Sequence, residues 1–273
     1  MKKILLAFDG SHFSEGAFEF ARALNEMQPI LLLGIFIPQV DYANLWSYAN
    51  SASGPMLIPL MEDEDSDAVQ KNVERFEKLC QRNNIHYRVH KDFFDFALPE
   101  LKKETRFADL VILSGESFYK NLGTGSPNDY LKESLHAAEC PVLVVPEKFA
   151  FPESNIMAYD GSESSVYAIK QFAYLFPELC NNPTWLVFAE EEGRLFPEKV
   201  NIEELAARHF TDLTLFKLDI APNKYFTTWI SEKRSAILVI GAFGRSSVSR
   251  LFKPSFVTDV LSDHRLPVFI AHR

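Results

Sequence analysis

The same plan occurs twice in this chain, in KKILLAFDGSHFSEGAFEFARAL (Lys2–Leu24) and in SNIMAYDGSESSVYAIKQFAYL (Ser154–Leu175). Each stretch has a short apolar run, then an Asp-Gly-Ser triplet, and then apolar residues at helical spacing. Asp160 follows Asp9 by 151 residues, and a serine and an alanine of the helical part keep the same offset. A repeat of this length indicates a duplicated domain.

The ends of the two copies also match. DLVILSG (Asp109–Gly115) resembles AILVIG (Ala236–Gly241), and CPVLVVP (Cys140–Pro146) resembles LPVFIAH (Leu266–His272). Both pairs are offset by 126 residues, so the segment between them has the same length in both halves. The smaller offset means that the second copy is shorter in its middle, where the first copy has a Gly-, Pro- and Ser-containing excursion from Pro38 to Asp67.

Apolar runs alternate with helical patterns in each half, which predicts an α/β fold with a parallel sheet covered by helices on both faces. We place the domain boundary at the proline-containing turn near 149–154, which gives domains of residues 1–150 and 151–273. The predicted strands of the first half are Ile4–Phe8, Ile30–Ile37, His86–Phe93, Leu110–Ser114 and Val142–Val145, and the predicted helices are Ser14–Met27, Asp67–Asn83, Ala97–Arg106 and Asp129–Ala138. The predicted strands of the second half lie near Ile156, Trp185, Thr211, Ile237 and Val268.

Composition narrows the function classes. A formal net charge of -9 disfavours nucleic-acid partners, because a phosphate backbone would be repelled. The three cysteines have no CxxC spacing, which argues against a disulfide framework and a zinc site and favours small buried side chains. The first apolar run is too short for a signal peptide and no run reaches membrane-spanning length, so we expect a cytoplasmic protein without a membrane partner.

The order of these motifs resembles the universal stress proteins. The resemblance rests on a strand that ends in Asp-Gly-Ser, a helix from Ser14, a G-x-x-G loop after the fourth strand, and a closing C-P-V-L-V-V strand. It covers nearly the whole chain twice, so the protein resembles a tandem member. The resemblance implies two Rossmann-like (adenine nucleotide alpha hydrolase-like) domains, each with a five-stranded parallel sheet. It also implies that the halves pack through their final strands as an internal pseudo-dimer.

Ligands of such sheets bind at the carboxyl ends of the strands, beside the switch in strand order. Asp9, Gly115, Asp160 and Gly241 all fall at such ends. In the family, the aspartate after the first strand reaches the nucleoside part of ATP. Turn formation is the alternative role for both aspartates.

The second half keeps part of the family's ATP pattern, which is G-x-x-G, nine residues, then G-[ST]. Gly241 and Gly244 match, but Pro254 and Ser255 stand where Gly-Ser is expected. Proline lacks an N–H and narrows the space for a phosphate, although it suits the first turn of a helix.

Several groups in this loop still favour an anion. The Ser255 hydroxyl and the N–H of Phe256 are donors, and Arg245, Arg250 and Lys253 supply positive charge. The loop therefore predicts a weakened site for ATP with Mg²⁺, with a tight turn carrying solvated basic residues as the alternative.

The first half departs further from the pattern. Gly115 matches, but Phe118 replaces the second glycine and Asn128-Asp129 replaces Gly-Ser. A carboxylate at Asp129 caps a helix well but repels a phosphate. We therefore expect the first half to have the poorer nucleotide site.

Catalytic and metal signatures are missing from the sequence. There is no G-x-x-x-x-G-K-[ST], G-x-S-x-G or H-E-x-x-H, and the histidines of HYRVH (His86–His90) lack a third ligand at an obvious spacing. These absences predict a protein that is not an enzyme and has no metal site. The resemblance implies a stress-response regulator, with a nucleotide as the candidate ligand of its second half. A scaffold that binds no nucleotide, or binds another small ligand, is the alternative, and association of two chains stays open.

Overall fold

The structure is a computed structural model, which describes residues 1–9, 12–37, 63–91, 97–116, 129–190, 195–219, 229–230, 232–233, 235–241, 260–261, 263 and 265–272. The strands are β1 (Lys2–Phe8), β2 (Ile30–Phe36), β3 (His86–Lys91), β4 (Leu110–Ser114), β5 (Val142–Val145), β6 (Ser154–Ala158), β7 (Thr184–Glu190), β8 (Leu213–Asp219), β9 (Ala236–Gly241) and β10 (Val268–Ala271). The helices are α1 (Glu15–Met27), α2 (Asp63–Arg82), α3 (Ala97–Thr105), α4 (Asp129–Ala137), α5 (Glu163–Leu175) and α6 (Lys199–Ala207), with a short 3₁₀ turn at Leu179–Asn181.

The predicted α/β architecture is confirmed. Within the described residues, the strands form one sheet in the order β3-β2-β1-β4-β5-β10-β9-β6-β7-β8. All pairings inside each half are parallel, so each copy of the repeat supplies a five-stranded parallel sheet of the same internal order.

The two halves meet through their last strands. β10 pairs antiparallel with β5, with Val268 opposite Val144, Phe269 opposite Leu143 and Ile270 opposite Val142. The antiparallel pairing means that the strands of the two halves run in opposite directions. The carboxyl ends of the first-half strands therefore lie at one edge of the sheet, which we call the first-half edge. Those of the second-half strands lie at the opposite edge, the second-half edge.

The central strands of the sheet are buried on both sides, because helices cover both faces. One apolar core packs α1, α2, α5 and α6 against one face, and the other core packs α3 and α4 against the opposite face. Aromatic rings fill much of the first core in the first half, where Phe8 stacks on Phe36 at 4.7 Å and meets the edge of Phe76 at 6.1 Å.

The equivalent helices α1 and α5 start at different places in the repeat. The N-cap of α1 is Ser14, whose Oγ accepts a hydrogen bond from Ala17 N at 3.2 Å. The N-cap of α5 is Ser162, whose Oγ accepts from Ser165 N at 3.1 Å. Because Ser165 is the residue equivalent to Ser14, the second-half helix begins three residues earlier in the repeat.

Most predicted element bounds lie within a few residues of the observed ones, and those of β4 and β5 are identical. The largest difference is in α2, which begins at Asp63 instead of the predicted Asp67, inside the stretch predicted to be an irregular excursion. The sequence at this point, MEDEDSD (Met61–Asp67), is acidic, and acidic residues favour the first turn of a helix. No helix in the described part of the chain is long and apolar enough to span a membrane.

Candidate functional site

Each half has a switch point in its strand order, between β1 and β4 in the first half and between β6 and β9 in the second. Asp9 follows β1 beside Gly115, which follows β4, and the register aligns Leu6 with Ile112. Asp160 lies after β6 beside Gly241, the last residue of β9. The four residues thus form two pairs at opposite edges of the sheet, because the halves run antiparallel.

The rest of the predicted phosphate loop cannot be placed. Gly244, Arg245, Ser255 and Phe256 all fall outside the described residues, as do Arg250, Lys253, Pro254, Phe118 and Asn128. For these residues the nucleotide-site assignment stays a prediction.

Asp9 shapes the loop that follows β1. Its carboxylate is buried, and Oδ1 accepts a hydrogen bond from His12 N at 2.8 Å. The second oxygen, Oδ2, lies 3.2 Å from His12 Nδ1, and the imidazole is partly exposed. The sequence interpretation did not single out His12, because only the folded loop brings its ring back onto the aspartate.

Asp160 has the equivalent local role in the second half. Its Oδ1 accepts a hydrogen bond from Ser162 N at 2.9 Å. Gly161 adopts a positive φ of 79°, a conformation that favours glycine, and Ser162 then caps α5. Each residue of this Asp-Gly-Ser triplet thus has a structural role in the turn from β6 to α5. The aspartate accepts a backbone hydrogen bond, the glycine takes the positive φ, and the serine caps the helix.

Gly241 is needed for close packing in the fold. A Cβ at this position would stand 2.2–2.3 Å from the Ser164 carbonyl group and from Ser165 N in the first turn of α5. Those are backbone atoms that cannot yield without moving the helix. This contact accounts for a glycine at position 241 independently of any ligand.

A carboxylate spans the first-half edge. Glu147 follows β5, and its Oε1 accepts a hydrogen bond from the Ser114 hydroxyl at 2.9 Å. Its Oε2 accepts from Gly16 N at 3.2 Å, in the first turn of α1, where a negative charge is favoured by the helix dipole. The residue at the equivalent place in the second half is Arg273, by the 126-residue offset, and it lies outside the described residues.

The second-half edge has a different neighbour. Phe196 stacks on Tyr159, with ring centroids 5.6 Å apart and an interplanar angle of 23°. The Tyr159 hydroxyl donates a hydrogen bond to the carbonyl oxygen of Pro197 at 3.1 Å. Burial, and secondarily the charges of Glu198 and Asp160, raises the pKa of Tyr159. Sequence patterns gave no signal for this contact beyond an aromatic-proline pair after β7.

The described residues offer little to a metal ion. No group of three or more His, Cys, Asp or Glu side chains among them is arranged to hold one. His90, from the HYRVH stretch, instead has its Nδ1 2.8 Å from Oε1 of Glu104, a buried residue of α3.

Neither a protein-family model nor a curated protein matches the sequence. Solved structures do match over the whole chain. A universal stress protein from Archaeoglobus fulgidus DSM 4304 aligns with 100% of this chain and 96% of its own, with a TM-score of 0.70 and 16% identity. This chain has the fold of the universal stress proteins.

Two other structures agree with that fold. A protein of unknown function from Pseudomonas aeruginosa PAO1 covers 100% of this chain with 92% of its own, at a TM-score of 0.57 and 12% identity. A protein from Pseudomonas aeruginosa UCBPP-PA14, described as a universal stress protein, gives a TM-score of 0.56 at 12% identity, with 100% of this chain and 93% of its own aligned. At these identities the likeness to universal stress proteins establishes the fold, and function requires an argument from the site.

Proposed function

We propose that this protein is a tandem member of the universal stress protein family that acts as a non-catalytic regulator of a stress response in the cytoplasm. The repeated Asp-Gly-Ser and glycine-loop motifs support the proposal, as does the alignment of the whole chain with a universal stress protein. The three cysteines are free, which suits a reducing compartment.

We propose further that the second half binds ATP or a related nucleotide, with Mg²⁺, at the carboxyl ends of β6 and β9. The observation that carries this choice of half is the carboxylate of Glu147, which holds Ser114 and the first turn of α1 at the first-half edge. The negative charge of Glu147 makes that edge unfavourable for a phosphate. The second half has Arg273 at the equivalent position, and Arg245, Arg250 and Lys253 in its loop.

Calorimetric titration of the purified protein with ATP and Mg²⁺ tests the proposal. Asp160→Asn keeps the acceptor for Ser162 N but loses the charge, and we expect it to weaken binding about tenfold, the value of a hydrogen bond to a charged group. Asp9→Asn is the matched control and leaves binding unchanged. The absence of both a binding heat and a rise in melting temperature at millimolar ATP would contradict nucleotide binding. Release of ADP or AMP during incubation would contradict a non-catalytic role.

A second candidate function is an interaction scaffold, or a protein that binds a different small ligand. The packing of Phe196 and Pro197 on Tyr159 favours it, because these side chains fill space beside Asp160. So do the sequence departures at Pro254, Phe118 and Asp129. Replacing Pro254 with glycine distinguishes the two candidates. A scaffold gains no ATP affinity from Pro254→Gly, whereas a weakened nucleotide site gains it.

A further inference from the structure

The segment after β7 returns over the Asp-Gly-Ser loop of the second half. We call Phe196, Pro197 and Glu198 the 196–198 segment. Besides the ring stacking and the hydrogen bond to Tyr159, its Pro197 side chain lies against Gly161. A Cβ on that glycine would stand 2.8 and 3.0 Å from the Pro197 Cβ and Cγ atoms. The segment therefore covers both chain neighbours of Asp160.

Phe196 lies across the end of the sheet. Its ring is 5.2 Å from that of Phe188, which belongs to the core on one face, while Tyr159 belongs to the core on the other face. Phe196 itself packs against both cores. A ring that touches both cores must stand over the edge of the sheet between them, on the side where β6 and β7 end.

The residues at the two ends of the 196–198 segment favour its opening. Glu198 has φ 42° and ψ 41°, a left-handed conformation that is unfavourable for a residue with a side chain. It is the N-cap of α6 but makes no side-chain capping bond. On the other side of Phe196, Leu195 is 90% exposed. A segment that contains a strained residue and lies between an exposed side chain and an uncapped helix start opens more readily than the strands below it.

We propose that the 196–198 segment is a built-in latch that closes the second-half site and has to move before a nucleotide reaches Asp160. The inference rests on the proposed nucleotide site in the second half and adds its regulation. If only the open form binds, the apparent affinity falls by the fraction of molecules that are open. Weakening the latch therefore tightens binding without any new contact to the ligand.

Three variants measured by ATP titration test the latch. Phe196→Ala removes the ring that bridges the two cores, and we expect about tenfold tighter binding, as for a closed form that outnumbers the open one about ten to one. Tyr159→Phe keeps the stacking but removes the hydrogen bond to the Pro197 carbonyl, and we expect a gain of about two- to tenfold. Leu195→Ala removes a neighbouring apolar side chain that is outside the latch, and it leaves the affinity unchanged.

The pattern of results separates the latch from the nucleotide site. If the wild type binds ATP and both latch variants bind no tighter, the latch is wrong and the proposed function stands. Weaker binding by Phe196→Ala also overturns the latch, since the ring would then contact the ligand. If neither wild type nor variants bind, the proposed function fails, and the latch fails with it.

Hydrogen exchange gives an independent readout that does not depend on a variant folding well. Saturating ATP should speed amide exchange at Asn201 and Ile202 in the wild type, because both N–H groups donate to the Glu198 carbonyl and the bound state holds the segment open. Slower exchange in the same amides would mean that the segment closes over the ligand, which is the opposite of the latch.

Discussion

Asp9 and Asp160 each accept a hydrogen bond from a backbone N–H in the loop that follows them. Each aspartate therefore has a role in folding before any ligand arrives. The same holds for Gly241, whose missing side chain makes room for the backbone of α5. The fold needs these residue types whether or not a ligand binds. Their presence in the sequence therefore does not distinguish a half that binds a ligand from a half that does not.

The cysteine thiols provide a test at the residue scale. Burial, followed by a nearby carboxylate for each, raises the pKa of the Cys80, Cys140 and Cys180 thiols to about 12. We expect almost no reaction with a thiolate-selective reagent at pH 8 in the native protein, because the thiolate is the reactive form. All three should react in guanidinium, which is the control. Rapid native labelling would contradict the raised pKa values of these thiols.

The same pKa values predict a loss of stability in alkaline solution. The folded state favours the neutral thiols, so their contribution to stability is fully present below the ordinary value of 9.0 and is lost as pH rises toward about 12. Urea unfolding at pH 8 and pH 10.5 should show a lower midpoint at the higher pH. A Cys→Ala variant at all three positions should show a smaller fall, and an equal fall would assign the effect to other groups.

At the residue scale, local patterns predicted the turn residues but not the residues that define each edge. Asp9, Asp160 and Gly241 stand at the ends of apolar runs, where the sequence itself marks them. Glu147 and Phe196 act through distant contacts, since Glu147 meets a backbone N–H that is 131 residues away in the chain. No periodicity or spacing reports such a contact.

The individual elements followed the prediction closely, since apolar runs bounded by turn residues mark strands and helical spacing marks helices. The start of α5 is the instructive exception. Ser162 and Ser165 are both good N-cap residues, so propensity does not choose between them. In the first half the helix uses Ser14 instead of the position equivalent to Ser162, and only the packing of the folded chain decides which serine serves.

One side chain holds two elements of the first half together. Glu147→Ala removes the acceptor for the Ser114 hydroxyl on β4 and for Gly16 N on α1, and we expect a loss of about 1–3 kcal/mol in the free energy of unfolding. Glu147→Gln keeps part of the bonding and should lose less. The exposed Glu153, in the same connection between the halves, gives the matched control as Glu153→Ala. A urea midpoint for Glu147→Ala equal to that of the control would contradict this role.

At the scale of the whole molecule, the described strands form one continuous sheet, because β5 of the first half pairs with β10 of the second. Phe269 pairs with Leu143 across this junction and also contacts Phe172 and Phe176 at ring distances of 5.5 and 5.7 Å. Each half would expose an apolar strand edge if the other unfolded. We therefore expect a single cooperative unfolding transition, with equal calorimetric and van't Hoff enthalpies.

Trp46→Phe makes this test sharper. The remaining tryptophans, Trp185 and Trp229, both lie in the second half, so fluorescence then reports that half alone. Circular dichroism reports both halves, and the two denaturation curves should coincide. Two resolved endotherms, or a fluorescence curve displaced from the dichroism curve, would show that the halves unfold separately.

The overall arrangement was available from the sequence only through the repeat and the family resemblance. The duplicated motifs predicted two sheets of five strands, and the resemblance implied their union through the final strands. The opposite placement of the two candidate edges follows from that antiparallel junction. The boundary between residues 150 and 151 remains a prediction of the sequence.

The antiparallel junction of β5 and β10 also bears on how such a protein can change over generations. In a dimer of identical chains, every substitution in the gene alters two symmetry-related sites at once, so neither can drift alone. Here the two edges are encoded separately and face away from each other. A mutation that places a glutamate at one edge leaves the other edge unchanged. One half can therefore keep only a structural role while the other half remains under selection for ligand binding.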